Sequence, residues 1–381
     1  MRATFTLIPS GFLLLVGGIL WGWREAHPTE RHRGPSHRSP RSVIIPSIRT
    51  STGTPPRNQL TSTNETRGAG TDWPLEMGIF WPQTLERELP MVFTKESAER
   101  WQESARLASV VSLERGCGRS TNRKARLSDG SWVCVRFGIN PEQIQGELQS
   151  YYLSRLLGIR GVPPCVLSRV GNAQWAPVQA ELGATGWTPG ALLSLTPWVY
   201  NLSSVLPPLA LRAEGGKLHP LRSELRQDGG NMAEIAQWAD LILFDYLTAN
   251  FDRLVSNLFS LQWDPHVMLR GTNNLHQNLD GALVLLDNEA GLAHGYRLRD
   301  TWDKYNEKLL DTVCLFRRDV VHKVQEMHMI QSAAQELHSL YLQAEPLGAD
   351  LGLLSEAQAK ILQDRIGLVY RHIQSCQDRY S

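Results

Sequence analysis

The sequence predicts an α+β chain of two lobes, a small β-rich lobe followed by a larger helical one. Three observations carry this. Strand-like runs at 107–114, 122–127 and 131–137 follow one another through glycine-containing turns. A helix with clear start and stop signals comes next, between Asn140 and Gly158. Helical patterns then dominate from Asn231 to the C-terminus, interrupted near Asp252 and Asp287.

Two segments are expected ahead of the lobes. Leu7 to Trp23 is apolar or small apart from Ser10, with Arg2 before it and Arg24 after it. Its 17 residues sit at the short limit for a bilayer span. The run is long for a signal-peptide core and ends in Trp-Gly-Trp without a small-x-small site. Residues 1–23 are therefore read as a signal-anchor, with a cleaved signal peptide as the alternative. An uncleaved anchor attaches the chain to the membrane, and a short span suits a thin early-secretory bilayer such as the Golgi. Residues 24–74 are rich in Pro, Ser, Thr and Arg. With eight Arg against three Glu up to residue 70, the segment cannot bury a core and reads as a disordered stem. Asn64-Glu-Thr66 and Asn201-Leu-Ser203 are glycosylation sequons, which fits a lumenal or secreted protein.

A net charge of +1 excludes a general electrostatic pull toward nucleic acid. Five cysteines in an oxidising lumen leave at least one unpaired. Cys117 and Cys134 lie on neighbouring strand-like segments, and Cys314 and Cys376 lie in the helical C-terminal third. Connectivity stays open, and no Cys/His spacing suggests zinc.

The small lobe is assigned to 75–182 and the large lobe to 183–381. Arg115-Gly116-Cys117-Gly118-Arg119 joins the first two strands, and Ser128-Asp129-Gly130 joins the second and third. Gly116 and Gly118 let backbone N–H groups approach phosphate. In the helix, Asn140 is the cap, Pro141 the first residue and Gly158 the stop. Its apolar face is Ile144, Leu148, Tyr151 or Tyr152, and Leu156, with Glu147 one position off it. Residues 166–180 read as a hairpin around Gly171-Asn172, with Trp175 and Val178 inward. Residues 183–208 read as a packed connection without regular structure, and 209–230 as a polar surface loop. Asn231 caps a helix through Ala249. Leu258 to Trp263 looks like a strand, 264–281 a hairpin or loop, and helices are expected near 317–345 and 355–377.

The chemistry-bearing stretch is Asp252-Arg253-Leu-Val-Ser-Asn257. Asp252 and Asn257 stand five apart, as the catalytic Asp and metal-binding Asn of a kinase catalytic loop do. The apolar run Ala282–Leu286 then ends in Asp287-Asn288-Glu289, where a carboxylate at a buried strand end is placed to hold a metal. Phosphoryl transfer needs a group that positions the attacking hydroxyl and cations on the phosphates. Asp252 is read as the catalytic aspartate. Asn257 and Asp287 are read as metal ligands, with Glu289 as an additional one. Arg136 paired with Glu147 is the phosphate clamp, Lys124 a second phosphate-reaching cation, and Arg253 a brace. ATP with Mg²⁺ or Mn²⁺ is the implied cofactor set, on an atypical protein-kinase-like fold.

Val135 to Glu147, Asp240 to Trp263 and Leu286 to Leu292 resemble the four-jointed box protein family over roughly residues 75–381. The resemblance implies a Golgi type II or secreted protein. It further implies an ATP-dependent Ser/Thr kinase whose substrates are extracellular cadherin domains of the Fat and Dachsous kind, tuning planar polarity and growth. Its vertebrate members are associated with restraint of dendrite growth. The family's Asp-Asn-Glu motif falls on Asp287, Asn288 and Glu289. Arg136 stands where other secretory kinases use lysine, and Leu254 where histidine is common.

A catalytically weak, secreted signalling or binding protein on the same fold is the competing expectation. A glycosyltransferase would share the anchor-and-stem plan. It leaves Asp252 to Asn257 unexplained, and the sequence has no Asp-x-Asp motif.

Overall fold

The computed structural model describes residues 75–212, 215–220, 225 and 231–381. The expected signal-anchor, the stem and the Asn64 sequon lie outside them. Among the described residues no helix is long and apolar enough to cross a membrane.

The glycine turns fold the three expected strands into an antiparallel meander: β1 (Val110–Arg115), β2 (Arg123–Leu127) and β3 (Trp132–Arg136). At the β2–β3 turn Gly130 takes φ 89°, and the Asp129 carboxylate accepts from the Ser131 N–H at 2.9 Å. Two more strands, β4 (Val166–Arg169) and β5 (Leu192–Pro197), complete a five-stranded sheet in the order β1-β2-β3-β5-β4. One face buries Val110, Ala125, Leu127, Val133, Val135, Leu193 and Leu195 against Trp175, Val178 and Trp187. The pairings Lys124 to Cys134 and Cys134 to Thr196 place these residues, with Arg136, on the opposite face.

Several expectations are corrected here. The turn at Gly171 forms, but its second arm is a 3₁₀ helix, Ala173–Val178, and not a strand. The Asn172 side chain caps it, accepting from the Gln174 N–H at 3.1 Å, and Pro177 has no N–H to give to a ladder. Trp175 and Val178 do point inward. Strand β5 lies inside 183–208, which read as an irregular connection. Ser194 and Thr196 alternate with Leu193 and Leu195, and flanking Trp and Pro hid that short period. The small sheet thus draws a strand from beyond residue 182. Residues 75–92, assigned to the small lobe, pack on the large core instead. Ile79 and Trp81 are fully buried there, and the Trp81 N–H donates to the Phe316 carbonyl at 3.1 Å. Two further N-terminal helices, α1 (Gln83–Glu88) and α2 (Lys95–Leu107), carried no expectation.

Helix α3 (Pro141–Leu157) begins and ends as its punctuation requires. The Asn140 side chain accepts from the Gln143 N–H, and Gly158 takes φ 67° in the left-handed region. Burial reaches almost every side of it, so Ile144, Leu148, Tyr151, Tyr152, Leu153 and Leu157 all belong to the large core. Helix α4 (Met232–Thr248) is capped by Asn231, as expected. The segment from Leu258, read as a strand, continues a helix, α5 (Leu254–Ser260). A short apolar run does not separate the two periods, and the packing of Phe259 on Trp302 and Tyr305 decides for the helix.

Strands β6 (Ser203–Ser204), β7 (Leu275–Gln277) and β8 (Leu283–Leu285) form a second sheet, so the expected hairpin precedes Asp287. Among the described residues of 209–230 the chain is not a surface loop throughout. Leu209–Arg212 is helical, and Leu218 is buried, its N–H donating to the Thr312 carbonyl at 2.6 Å. The C-terminal helices are α6 (Ala293–Arg297), α7 (Arg299–Leu310), α8 (Arg318–Ile330), α9 (Ala333–Ala344) and α10 (Glu356–Tyr380). Cys117 pairs with Cys134 and Cys314 with Cys376, leaving Cys165 free and buried. Cys314, His372 and Cys376 cluster closely enough to suggest a metal site, but their two sulfurs are joined to each other.

Candidate active site

Five segments converge: the loop after β1, the end of β3, helix α3, the turn that follows α4 and the turn that follows β8. What brings α3 to the β8 turn is Gly146. A Cβ there would lie 2.6 Å from the Gly291 carbonyl oxygen and 3.0 Å from that of Glu289, so only glycine allows this approach. Gly146 was missed in the sequence. The signal was present, since a glycine inside a well-punctuated helix needs a packing reason.

Arg136 is buried at the end of β3. Its Nη1 lies 3.9 Å from Glu147 Oε1 and 2.9 Å from Thr196 Oγ1, and its Nε lies 3.4 Å from Asp287 Oδ1. Burial opposes its charge, but Glu147 and Asp287 outweigh that and hold the guanidinium above its ordinary pKa. Burial raises the Glu147 carboxyl, and Arg136 opposes the rise.

Asp252 sits half-buried on the turn after α4. Asn274 Nδ2 donates to its Oδ2 at 2.9 Å, and the Asp252 N–H donates to Asn250 Oδ1 at 2.9 Å. Burial pushes its carboxyl up to about 6. Asp287 adds to the rise, while Arg253, Asn274 and Arg119 work against it. Arg253 is the expected brace, wholly buried. Its Nε and Nη2 grip the Asp245 carboxylate, Nη1 reaches the Leu286 carbonyl at 3.0 Å, and Nη2 reaches Asn288 Oδ1 at 3.0 Å. One guanidinium therefore ties α4, the Asp252 turn and the Asp287 turn together.

Asp287 adopts φ 54°, a left-handed conformation that Asp tolerates better than most residues. Glu147 Oε2 and Glu289 Oε2 are buried oxygens without a hydrogen-bond donor, and the Asp287 Oδ1 beside them has only the long 3.4 Å approach of Arg136 Nε. Buried carboxylate oxygens need a cation or a donor, and hard oxygen ligands suit Mg²⁺ or Mn²⁺. Glu147, Asp287 and Glu289 fit a divalent cation on those grounds. Arg119, missed in the sequence, pairs with Glu289 across the cleft.

Two expected residues are not brought in. Asn257 lies on α5, and its Nδ2 donates to Thr272 Oγ1 at 3.3 Å. The amide that contacts the Asp252 carboxylate is that of Asn274. Lys124 shares the cleft face, but its ammonium stands over Trp132 and Trp198, 4.3 and 4.6 Å from the ring centres. Gly116 and Gly118 lie in the loop above the cleft, and Gly118 takes φ 80°. Asn201, with φ 55°, is exposed on a turn between β5 and β6.

The family model of the four-jointed box protein middle domain matches residues 96–379. Four-jointed box protein 1 of Mus musculus is 52% identical over 86% of this chain and 75% of its own length. The extracellular serine/threonine protein kinase four-jointed of Drosophila melanogaster is 31% identical over 80% of this chain and 61% of its own length. Among solved structures, the Golgi casein kinase with Mn and ADP bound superposes with a TM-score of 0.52. It covers 77% of this chain and 81% of that one at 12% identity. That likeness establishes the fold, an atypical kinase fold of mixed helix and sheet. With the family model across most of its length and half of the aligned residues identical to the mouse protein, the chain belongs to the four-jointed box protein family.

Proposed function

We propose that the chain is an ATP-dependent Ser/Thr protein kinase of the secretory lumen, acting on extracellular cadherin-type domains. The observation that carries the reading is the meeting of Asp252, Asp287 and the Arg136–Glu147 pair in one cleft below a glycine loop. The Drosophila relative's name and the Mn- and ADP-bound fold neighbour support it.

In this reading Asp252 orients the acceptor hydroxyl and accepts its proton late, since the transferred phosphoryl passes through a loose transition state. Asn274 and Asn250 fix the carboxylate and its turn. Arg136, held by Glu147 and Asp287, supplies positive charge at the root of the cleft. Glu147, Asp287 and Glu289 would hold the divalent cation, which offsets phosphate charge when bound. The N-terminal sequence pattern and the exposed Asn201 sequon support a lumenal site with Golgi retention or secretion.

The second reading, a weak or inactive binding protein on this fold, draws on Arg136. A planar guanidinium locked among Thr196, Glu147 and Asp287 has less freedom to reach phosphate than a lysine ammonium. The separating experiment gives the purified full chain ATP, Mn²⁺ or Mg²⁺, and a cadherin repeat. Transfer to Ser or Thr that falls by about three orders of magnitude in Asp252→Asn, with ATP binding kept, supports the kinase. Binding of ATP and metal with no transfer to any repeat supports the second reading.

A further inference from the structure

We propose that Arg119 is a phosphate-binding residue of this cleft, resting on Glu289 until a divalent cation takes that carboxylate. The inference depends on the metal-site reading above, and goes beyond it by assigning a residue and an order of exchange.

The loop delivers Arg119 with little freedom. Cys117 is joined to Cys134 on the cleft face of β3, two residues from Arg136, with the two Cα atoms 5.6 Å apart. Buried Asn122 donates from Nδ2 to the Cys117 carbonyl at 2.9 Å. Gly118, with no atom near its missing side chain, turns the chain so that the next residue faces into the cleft. Arg119 there meets Glu289.

The two partners are unequal. The Glu289 side chain is 3% exposed and that of Arg119 is 35% exposed. The acid is part of the buried turn, while the guanidinium enters from solvent and can leave. Glu289 Oε2 has no donor even with Arg119 present, so the pairing leaves ligand capacity unused.

Four carboxylates, Glu147, Asp252, Asp287 and Glu289, face two guanidiniums, Arg136 and Arg119, while Arg253 is matched by Asp245. Even with Arg119 in place two negative charges are unmatched, which draws a divalent cation to the turn. A cation on Glu289 displaces Arg119, whose planar fork then meets the phosphates that accompany the metal. Arg136 is anchored by three side chains and is less free to do this.

The test titrates the full chain with Mn²⁺ alone, following free Mn²⁺ by electron paramagnetic resonance. A non-hydrolysable ATP analogue is then titrated calorimetrically at saturating Mn²⁺. Wild type, Arg119→Gln and Arg119→Lys are compared, with thermal scans showing that each is folded. Arg119→Gln should bind Mn²⁺ about fivefold tighter, because its competitor is gone. It should bind the analogue about tenfold more weakly, and Arg119→Lys should fall between. Unchanged or weaker Mn²⁺ binding by Arg119→Gln, beside measurable binding by wild type, overturns the exchange. Unchanged analogue affinity overturns the phosphate role. If neither wild type nor variant binds Mn²⁺, the metal-site reading fails and the inference goes with it.

Discussion

Gly146→Ala adds one methyl group at the joint between α3 and the Asp287 turn. The new Cβ would stand 2.6 Å from the Gly291 carbonyl oxygen, where ordinary contact starts at 3.4 Å, so about 0.8 Å must open (3.4 minus 2.6). Both nearest atoms, this oxygen and that of Glu289, are backbone and cannot rotate aside. Overpacking of this kind costs about 1–3 kcal/mol. The helical gain of Ala over Gly returns about 1 kcal/mol. The net loss is then at most about 2 kcal/mol, a Tm lower by up to roughly 6 °C. The catalytic effect should be larger. Glu147 is the next residue, and its 3.9 Å approach to Arg136 is already at the limit of an ion pair. Moving it by most of an ångström should lower kcat/KM about 10- to 100-fold. The assays are a thermal scan and phosphoryl transfer, with Gly183→Ala as control, since nothing lies within 4 Å of its Cβ position and its φ is −59°. A Gly146→Ala variant with wild-type Tm and rate would refute the idea that this contact sets the helix. Lower Tm with an intact rate would refute the role of the clamp.

Because burial pushes the Asp252 carboxyl up to about 6, the proton-accepting form accumulates as pH rises through that value. The kcat/KM of transfer should therefore climb about tenfold per pH unit below about 6 and level off above it; a profile flat down to about pH 4.5 removes Asp252 as the base. The Cys314–Cys376 link closes a loop of 62 residues, so Cys314→Ser with Cys376→Ser should cost about 4 kcal/mol, read as a lower urea midpoint. Loss of less than about 1 kcal/mol would mean the link is not formed in solution. Asn201 is exposed on a turn, so Asn201→Gln should remove one N-glycan and speed migration of cell-expressed protein on a gel. Unchanged migration, before and after N-glycosidase, counts against a lumenal site.

Local rules carried the parts of the fold with strong punctuation. Asn140, Pro141 and Gly158 bound α3, Asn231 bounds α4, and Ser128-Asp129-Gly130 closes the β2–β3 turn, each through its own backbone chemistry. Elements set by partners were harder to read. Strand β5 exists because β3 and β4 flank it, and nothing within Leu192–Pro197 reports those neighbours. Leu258 and Phe259 satisfy either a strand or a helix, and Trp302 and Tyr305, more than forty residues away, settle it. Ile79 and Trp81 read as small-lobe residues by position, yet their contacts lie at Phe316.

The site was legible to the extent that spacing encodes proximity. Asp252, Asp287 and Arg136 each stand at the end of a recognisable element, and Glu147 lies beside the apolar face of a well-punctuated helix, so the sequence could single them out as candidates. Asn274 and Arg119 carried no such signal, since loops bring them in from the sides, and Asn257 bonds Thr272 from within a helix. The fold also fixes where adjustment can occur. Helix α3 is buried on nearly every side, its Gln145 and Gln149 side chains both donating to the Gly352 carbonyl, and Gly146 seats it on the Asp287 turn. Such a helix cannot swing without opening the large core, so the Glu147–Arg136 pair is a fixed part of the cleft. Arg119, by contrast, is partly exposed and carried on a glycine loop. In the proposed exchange it is Arg119 that moves, while α3 stays fixed. An Arg119 variant should shift ligand affinity with little change in Tm, the reverse of the weighting expected for Gly146→Ala.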